Sequence, residues 1–371
     1  MSDPGRNRMV LSGMSRLNRE AWARVLLVGI LLIGLVSCKP GRPNIAETAL
    51  THVAKIGPAI DALHADEVSG LRELRAVLVS VDGEVVAERY YGSDPTEYAD
   101  LQSVTKSIVS MLVGIAIGEG KISGVDATLE ELLPQYRKDM DDRTRKTTLR
   151  QLLTMTAGWT DSDPAGLDLL RAWFREGPQL HPGEQFRYTN IGPHIVAHVL
   201  RRATGMSLLA YARQKLFDPL DIPTRPAYEA HFGEVPYWVE PKFLAADFAW
   251  LRAPDGIHAG SFALKLRAID MLKLGQLYLD KGRWQGKQLV PADWIEQSTA
   301  ADAPNGYGYF WWIHPVQGQH GYAAVGGGGQ VILVNPGRQL VMVASSRVVG
   351  PDQGGDAIFR LVDLAVIPNL A

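Results

Sequence analysis

The sequence predicts an α+β fold, and three observations carry that prediction. A strong β-hairpin signal stands early in the chain, a long middle stretch reads as helix and loop, and strands return towards the end. The hairpin is Ala76-Val77-Leu78-Val79-Ser80-Val81, then Asp82-Gly83, then Glu84-Val85-Val86-Ala87-Glu88-Arg89-Tyr90. Two apolar runs rich in β-branched residues, joined by a two-residue Asp-Gly turn, are the strongest short-range signal for paired antiparallel strands. From Ser103 the chain becomes almost wholly apolar through Ile108, Val109, Met111, Leu112, Val113, Ile115, Ala116 and Ile117, which reads as a buried helix starting at or beside the serine. A second helix is expected over Ile191–Thr204, and helix and loop continue to about Gly282. Strands are expected at Gly308–His314, Gly321–Ala324, Gln330–Asn335 and Leu340–Ser345, with Asn335-Pro336-Gly337-Arg338 as a turn. Asp356–Leu364 reads as a closing helix that packs on the sheet. The whole describes one two-lobed domain.

Composition narrows the function classes. The chain has 371 residues, with 38 Lys and Arg against 40 Asp and Glu, a formal net charge of −2, and no basic block. Nucleic acid is therefore not an expected partner. Hydrophobic residues make up 46% of the chain, enough for a sizeable core. Cys38 is the only cysteine, so no intrachain disulfide forms.

Its position matters more than its number. Arg16, Arg19 and Arg24 precede the apolar run of residues 25–36, which is too short for an ordinary transmembrane helix and suits a signal-peptide core. The run ends in Leu35-Val36-Ser37-Cys38, which resembles a bacterial lipobox, where the cysteine is lipidated and becomes the mature N-terminus. Residues 1–37 are thus expected to be a lipoprotein-type signal peptide, with Met9 or Met14 as alternative starts. Residues 38–50, including Lys39-Pro40-Gly41-Arg42-Pro43, would be the lipidated cysteine and its tether, and 51–371 the folded domain. That implies an exported protein of the bacterial cell envelope, held to a membrane by a lipid anchor. A signal anchor with an incidental cysteine is the alternative.

The chemistry is carried by two motifs, each occurring once. Ser103-Val104-Thr105-Lys106 puts a hydroxyl and an amine one helical turn apart on the same face. A serine at a helix N-terminus also has partly positive backbone N–H groups around it, able to hold an oxyanion. A lysine in so apolar a setting tends to its neutral form, which can accept the serine proton. Ser103 as a plain helix cap and Lys106 as a solvated first-turn residue is the ordinary alternative. Tyr188-Thr189-Asn190 shifts the balance. It follows the turn-rich Pro182-Gly183-Glu184-Gln185-Phe186-Arg187, and residues two apart in an extended segment face the same way. Asn190 is also placed to cap the next helix. Together the motifs supply a nucleophile, a base, a phenol and an amide: a serine acyl-transfer site that uses no histidine and needs no metal or organic cofactor.

With these residues in hand, the chain resembles the serine β-lactamase-related superfamily: class C β-lactamases, low-mass penicillin-binding proteins, related esterases and 6-aminohexanoate-dimer hydrolases. The likeness extends to Thr148-Leu149-Arg150-Gln151-Leu152-Leu153-Thr154-Met155-Thr156-Ala157-Gly158, to residues 259–286, and to Tyr307-Gly308-Tyr309-Phe310-Trp311-Trp312. It covers roughly residues 50–371 in order and looks closest to the esterase and 6-aminohexanoate-dimer hydrolase branch. The resemblance implies an antiparallel sheet flanked by helices plus a mostly helical lobe, and a small ester, amide or peptide-like substrate. By the same resemblance, Ser103 attacks, Lys106 with Tyr188 moves the proton, Asn190 orients Lys106 and contacts the acyl group, and Tyr188 activates the deacylating water. The oxyanion would sit between the backbone N–H groups of Ser103 and about Gln330.

One departure from the pattern bears on the substrate. The superfamily's third motif is Lys-Thr-Gly, or His-x-Gly in many esterases. Here Val325-Gly326-Gly327-Gly328-Gly329-Gln330 stands in its place. Gly327, Gly328 and Gly329 keep the close backbone approach but bring no cation for a carboxylate. Ester or amide hydrolysis is therefore the first reading. β-Lactamase or D-amino-acid peptidase activity is the alternative, and a non-catalytic binding or sensor lipoprotein is a further one. Loops 161–177 and 227–259 are expected to set acyl specificity. His194 and His198 lie four apart on a predicted helix, but no third ligand is near them in sequence, so they read as core or surface histidines. Trp311 and Trp312 are expected to face opposite sides, one in the core and one walling the pocket.

Overall fold

The computed structural model describes residues 52–161, 168–229, 237–301, 303–348 and 355–370. The predicted signal peptide, Cys38 and the tether up to residue 50 lie outside the described residues, as do parts of loops 161–177 and 227–259. Among the described residues no helix is long and apolar enough to cross a membrane.

The principal elements, in chain order, are α1 (Ile56–Ala65), β1 (Leu74–Val81), β2 (Glu84–Tyr90), β3 (Tyr98–Asp100), α2 (Val104–Gly118), α3 (Leu149–Leu153), α4 (Leu169–Glu176) and α5 (Ile191–Thr204). They continue with β4 (Lys265–Arg267), α6 (Ala268–Leu279), β5 (Trp312–Ile313), β6 (Tyr322–Gly326), β7 (Gln330–Asn335), β8 (Leu340–Ser346) and α7 (Gly355–Leu361). The main sheet is antiparallel and runs β2-β1-β8-β7-β6-β5, so the two ends of the chain meet where β1 pairs with β8. The predicted hairpin forms, with Asp82 and Gly83 both at positive φ (51° and 81°), as its two-residue turn requires.

Both faces of this sheet are covered, and the side-chain alternation shows how. Ala76 and Leu78 of β1, Val341 and Val343 of β8, and Ile332 and Val334 of β7 point into the large core shared with α2, α5 and α6. The alternate residues Val77, Val79, Met342, Ala344, Val331 and Leu333 pack against α1 and α7. Burial on both faces explains why the strands read as nearly continuous apolar runs. Helix α2 is buried from Val104 to Ala116 and passes through the middle of the larger core.

Two predicted elements differ in extent. The strand expected at Gly308–His314 shrinks to Trp312–Ile313, because Phe310 takes a left-handed φ of 61° and Gly308 N–H donates to the Trp311 carbonyl, folding the preceding residues into a turn. The closing helix starts at Gly355 and, beyond Leu361, continues through a widened turn over Val362–Val366. It packs on the sheet as expected.

Candidate active site

The site is assembled where α2 begins. Residue Gln102, just before Ser103, is held in the left-handed region (φ 49°), a conformation that costs about 1–3 kcal/mol when not relieved locally. Its relief comes from Asp100, whose carboxylate accepts from the Gln102 backbone N–H at 3.1 Å, and from Tyr237, whose hydroxyl accepts from the Gln102 amide at 2.9 Å. The chain then enters α2 through tight bonds from Val104, Thr105 and Lys106 N–H to the carbonyls of Leu101, Gln102 and Ser103. Ser103 occupies the N-cap position, yet its side chain makes no capping bond. The hydroxyl is left for another partner.

That partner is Lys106. Its Nζ lies 2.8 Å from Ser103 Oγ, 2.8 Å from Asn190 Oδ1 and 3.0 Å from the Ser261 carbonyl, on a side chain only 1% exposed. A protonated lysine has three N–H donors, which these three acceptors satisfy. A neutral lysine keeps two N–H donors and one lone pair. Asn190 and Ser261 can only accept, so in the neutral form the lone pair faces the Ser103 hydroxyl. Burial favours that form, pushing the Lys106 pKa down to about 7, while the Asp161 carboxylate pulls the other way.

Tyr188 is a second partner of the Ser103 side chain. Burial pushes its phenol up to about 12, its hydrogen bond with Ser103 opposes that rise, and Asp161 adds to it. The Lys106 Nζ sits 4.9 Å from the Tyr188 ring centroid. A phenol held this high is protonated at neutral pH, so the expected role of Tyr188 as deacylating base requires its own proton to pass on first. Of the two groups beside Ser103, Lys106 is the base available near pH 7, and Tyr188 is suited to passing a proton.

The expected double role of Asn190 is also revised. Asn190 sits at the N-cap of α5, but its side chain makes no cap bond and turns to Lys106 instead. The capping falls to Thr189, whose hydroxyl accepts from Ile191 N–H at 3.1 Å. Asp161 holds this turn by accepting from the Thr189 hydroxyl at 2.5 Å and from Asn190 N–H at 2.8 Å. Neither Asp161 nor Ser261 was marked by a motif. Ser261 acts through its backbone carbonyl, and the one trace of its placement is Gly260, where an added Cβ would lie 2.2 Å from the Pro193 carbonyl oxygen. Only glycine lets that segment close on α5.

The glycine run is brought to the same place. An added Cβ at Gly326 would lie 2.4 Å from the Leu101 carbonyl, so β6 ends directly against the residues leading into Ser103. Gly327, Gly328 and Gly329 form the turn to β7, with Gly328 and Gly329 at positive φ. Gln330 opens β7 opposite Gly326. The residue is fully buried and its side chain bonds the backbone of Ser346 through both its nitrogen and its oxygen, so it offers no side-chain group to a substrate. The core half of the tryptophan expectation holds, since Trp311 is buried and stacked on Tyr278, while Trp312 stacks on Tyr188 with centroids 5.6 Å apart. Tyr307, itself buried, meets both Tyr188 and Trp312 edge-on and packs behind them.

His194 and His198 are likewise better partnered than the sequence indicated. Asp255, remote in the chain, brings one carboxylate oxygen to 2.9 Å from His194 Nε2 and 3.0 Å from His198 Nε2.

With this geometry in place, the comparisons with known proteins are specific. The profile of the Beta-lactamase family matches residues 71–367. The chain belongs to the beta-lactamase family. Its relatives are distant. A protein of uncharacterised function from Alkalihalophilus pseudofirmus is 23% identical over 310 residues, covering 75% of this chain and 85% of its own. Among solved structures, a Bacillus anthracis protein assigned as a 6-aminohexanoate-dimer hydrolase superposes with a TM-score of 0.57 at 21% identity, over 80% of this chain and 79% of that one. EstCE1, a hydrolase with promiscuous acyltransferase activity, superposes with a TM-score of 0.64 at 17% identity, over 87% and 100%. These structural likenesses carry the beta-lactamase fold, and membership of the family puts the chain in a serine hydrolase superfamily.

Proposed function

We propose that this beta-lactamase family member hydrolyses an ester or amide bond of a small substrate through an acyl-enzyme on Ser103. The observation that carries the reading is the trio of acceptors around Lys106, which leaves its lone pair to Ser103 once it is neutral. The Ser103 oxygen bonds to the substrate carbonyl carbon as its proton passes to Lys106 Nζ. The oxyanion is held by the backbone N–H groups of Ser103 and Gln330, with the Gly327–Gly329 turn close by. On collapse the carbonyl–leaving group bond breaks, and the proton goes from Lys106 through the Tyr188 hydroxyl to the departing alcohol or amine. Water then attacks the acyl carbon, giving its proton to Lys106; the bond from the acyl carbon to Ser103 Oγ breaks, the acid departs, and Lys106 returns that proton to Ser103. Asn190 orients Lys106 throughout. The stacked rings of Tyr188 and Trp312 beside Ser103 and the absence of a cation from the glycine run favour an uncharged, partly apolar acyl group over a carboxylate-bearing one.

The test compares a short-chain p-nitrophenyl ester with a chromogenic cephalosporin, using the full-length chain and its Ser103→Ala variant. Ester turnover should exceed cephalosporin turnover, and Ser103→Ala should lower it by about 10⁴-fold or more. Faster cephalosporin cleavage promotes the β-lactam reading. Ester turnover that survives the substitution removes Ser103 as nucleophile, and failure of a fluorophosphonate to label Ser103 would favour a binding protein.

We also propose that the enzyme is exported and tethered to a bacterial membrane through lipid on Cys38, on the strength of the apolar run and Leu35-Val36-Ser37-Cys38. In a bacterial host the Cys38→Ser variant should lose lipidation, seen as a mass decrease of the mature protein. An unchanged mass would favour a signal anchor.

A further inference from the structure

We infer that His194, His198 and Asp255 form a binding site for one divalent transition ion of the Zn²⁺ class, separate from the serine site. His194 and His198 stand four residues apart on α5, so their rings share one face of the helix. Each presents Nε2 to the same oxygen, Asp255 Oδ2, at 2.9 and 3.0 Å, and the three ligand atoms all lie within 4.8 Å of one another. The side chains are 5%, 10% and 6% exposed. The other carboxylate oxygen, Oδ1, accepts from Ile257 N–H at 3.1 Å, which fixes the carboxylate with Oδ2 aimed between the two rings.

A ligand set of two imidazoles and one carboxylate suits Zn²⁺ and its neighbours, with a water completing the shell. Tetrahedral ligation at about 2.0–2.1 Å sets ligand atoms about 3.3 Å apart, so an ion replacing the N–H protons needs each nitrogen to part from Oδ2 by a few tenths of an ångström, and the two ring nitrogens, within 4.8 Å of each other, to settle at that same spacing by rotation of the rings. Room for a water exists. His198 and Asp255 line an open cleft of about 680 Å³, together with Tyr136, Asp168 and Arg202. Arg202 and the neighbouring Arg201 are committed elsewhere, donating to the carbonyls of Leu132 and Gly205.

The position suggests what the ion would do. His194 follows Asn190 by one helical turn, and Asp255 precedes Ser261 by six residues. Asn190 and Ser261 supply two of the three acceptors around Lys106. An ion at this site would clamp α5 to the 255–261 segment, and so hold the two arms of the Lys106 cradle at a fixed spacing.

The test is a titration of the full-length, tag-free chain with Co²⁺ after chelator dialysis, followed by competition with Zn²⁺. One equivalent should bind, give the visible absorption of low-coordinate Co²⁺ and be displaced by Zn²⁺. His198→Ala and Asp255→Asn should each weaken binding by more than the ~10–100-fold typical of losing an outer partner of a ligand. Zn²⁺ should raise the melting temperature of the wild type, and a chelator should reverse the rise. If a variant fails to fold, His194→Gln provides the replacement, and the wild-type titration stands without any variant. Absence of Co²⁺ and Zn²⁺ uptake by the wild type reduces the trio to a hydrogen-bonded strut and overturns the inference. Uptake unchanged in the variants overturns it too, by placing the ion elsewhere. None of these readouts depends on hydrolysis.

Discussion

Two lysines are buried among the described residues, and they are put to different ends. Lys106 is 1% exposed and Lys265 is 4% exposed, and burial lowers the pKa of both. Lys265 donates to the carbonyls of Phe243, Leu244 and Ala246, closing the end of the short helix Pro241–Ala245. All three acceptors are main chain, at the negative end of a helix, and none can give up a proton. The acidic groups Asp100, Asp247 and Glu97 also favour its charge. Around Lys106 one of three acceptors is a hydroxyl, and among the described residues only Asp161 favours the charge. Burial alone does not make a lysine a base; what matters is whether a proton donor is among its partners.

The largest expected effect tests that difference directly. Lys106→Met should lower kcat/KM for the ester by about 10²–10⁴-fold, the usual worth of a positioned base, with the fold kept. Lys265→Met should leave kcat/KM within a few-fold. It should instead cost about 1–3 kcal/mol for each carbonyl left buried without a donor, measured by urea unfolding. Equal loss of activity in a fully folded Lys265→Met would erase the distinction.

A second effect sharpens it in stability. The folded-state pKa of Lys106 is depressed from 10.5 to about 7. Between those values the unfolded chain holds a proton that the folded chain has released, so folding stability rises with pH by up to about 1.4 kcal/mol per unit. It is lowest, for this group, below pH 7 and is fully recovered above the unfolded value. Lys106→Met lacks this term. Urea unfolding from pH 7 to 9.5 should therefore show wild type gaining on the variant, and parallel curves would mean that Lys106 is not desolvated as the fold implies.

Much of this site was legible because it is made of side chains in fixed local patterns. Ser103 and Lys106 lie on one helical turn, Tyr188 and Asn190 on one extended segment, and Trp312 opposite Trp311, so spacing alone places each pair. The strands of the main sheet were legible for a related reason: residues such as Val331–Val334 and Leu340–Ala344 are buried on both faces and leave long apolar runs. What stayed hidden acts over distance or through the backbone. The Ser261 carbonyl and Asp161 have no residue signature, and Asp255 meets a histidine pair that local spacing had singled out while its partner lay some sixty residues away. The left-handed turn at Gln102 was equally hidden, because its support comes from Asp100 and Tyr237 rather than from a glycine. The pairing of Asp100 with Lys265 across β3 and β4 shows the same limit in the smaller sheets: three-residue strands are too short to alternate visibly.

The smallest expected effect isolates the carboxylate that, among the described residues, reaches Lys106. Asp161 does two things at once. It accepts from the Thr189 hydroxyl and Asn190 N–H, and its charge raises the pKa of both Lys106 and Tyr188. Asp161→Asn keeps an oxygen for the two hydrogen bonds and removes the charge. Wild-type kcat/KM should rise with pH through an apparent pKa near 7, as Lys106 loses its proton. Without the Asp161 charge the Lys106 ammonium is less favoured, so this acid limb should move to lower pH while the plateau stays within a few-fold. A fixed limb with a lowered plateau would make Asp161 a mere buttress of the Tyr188–Asn190 turn. A limb displaced to higher pH would reverse the sign and detach the limb from Lys106 altogether.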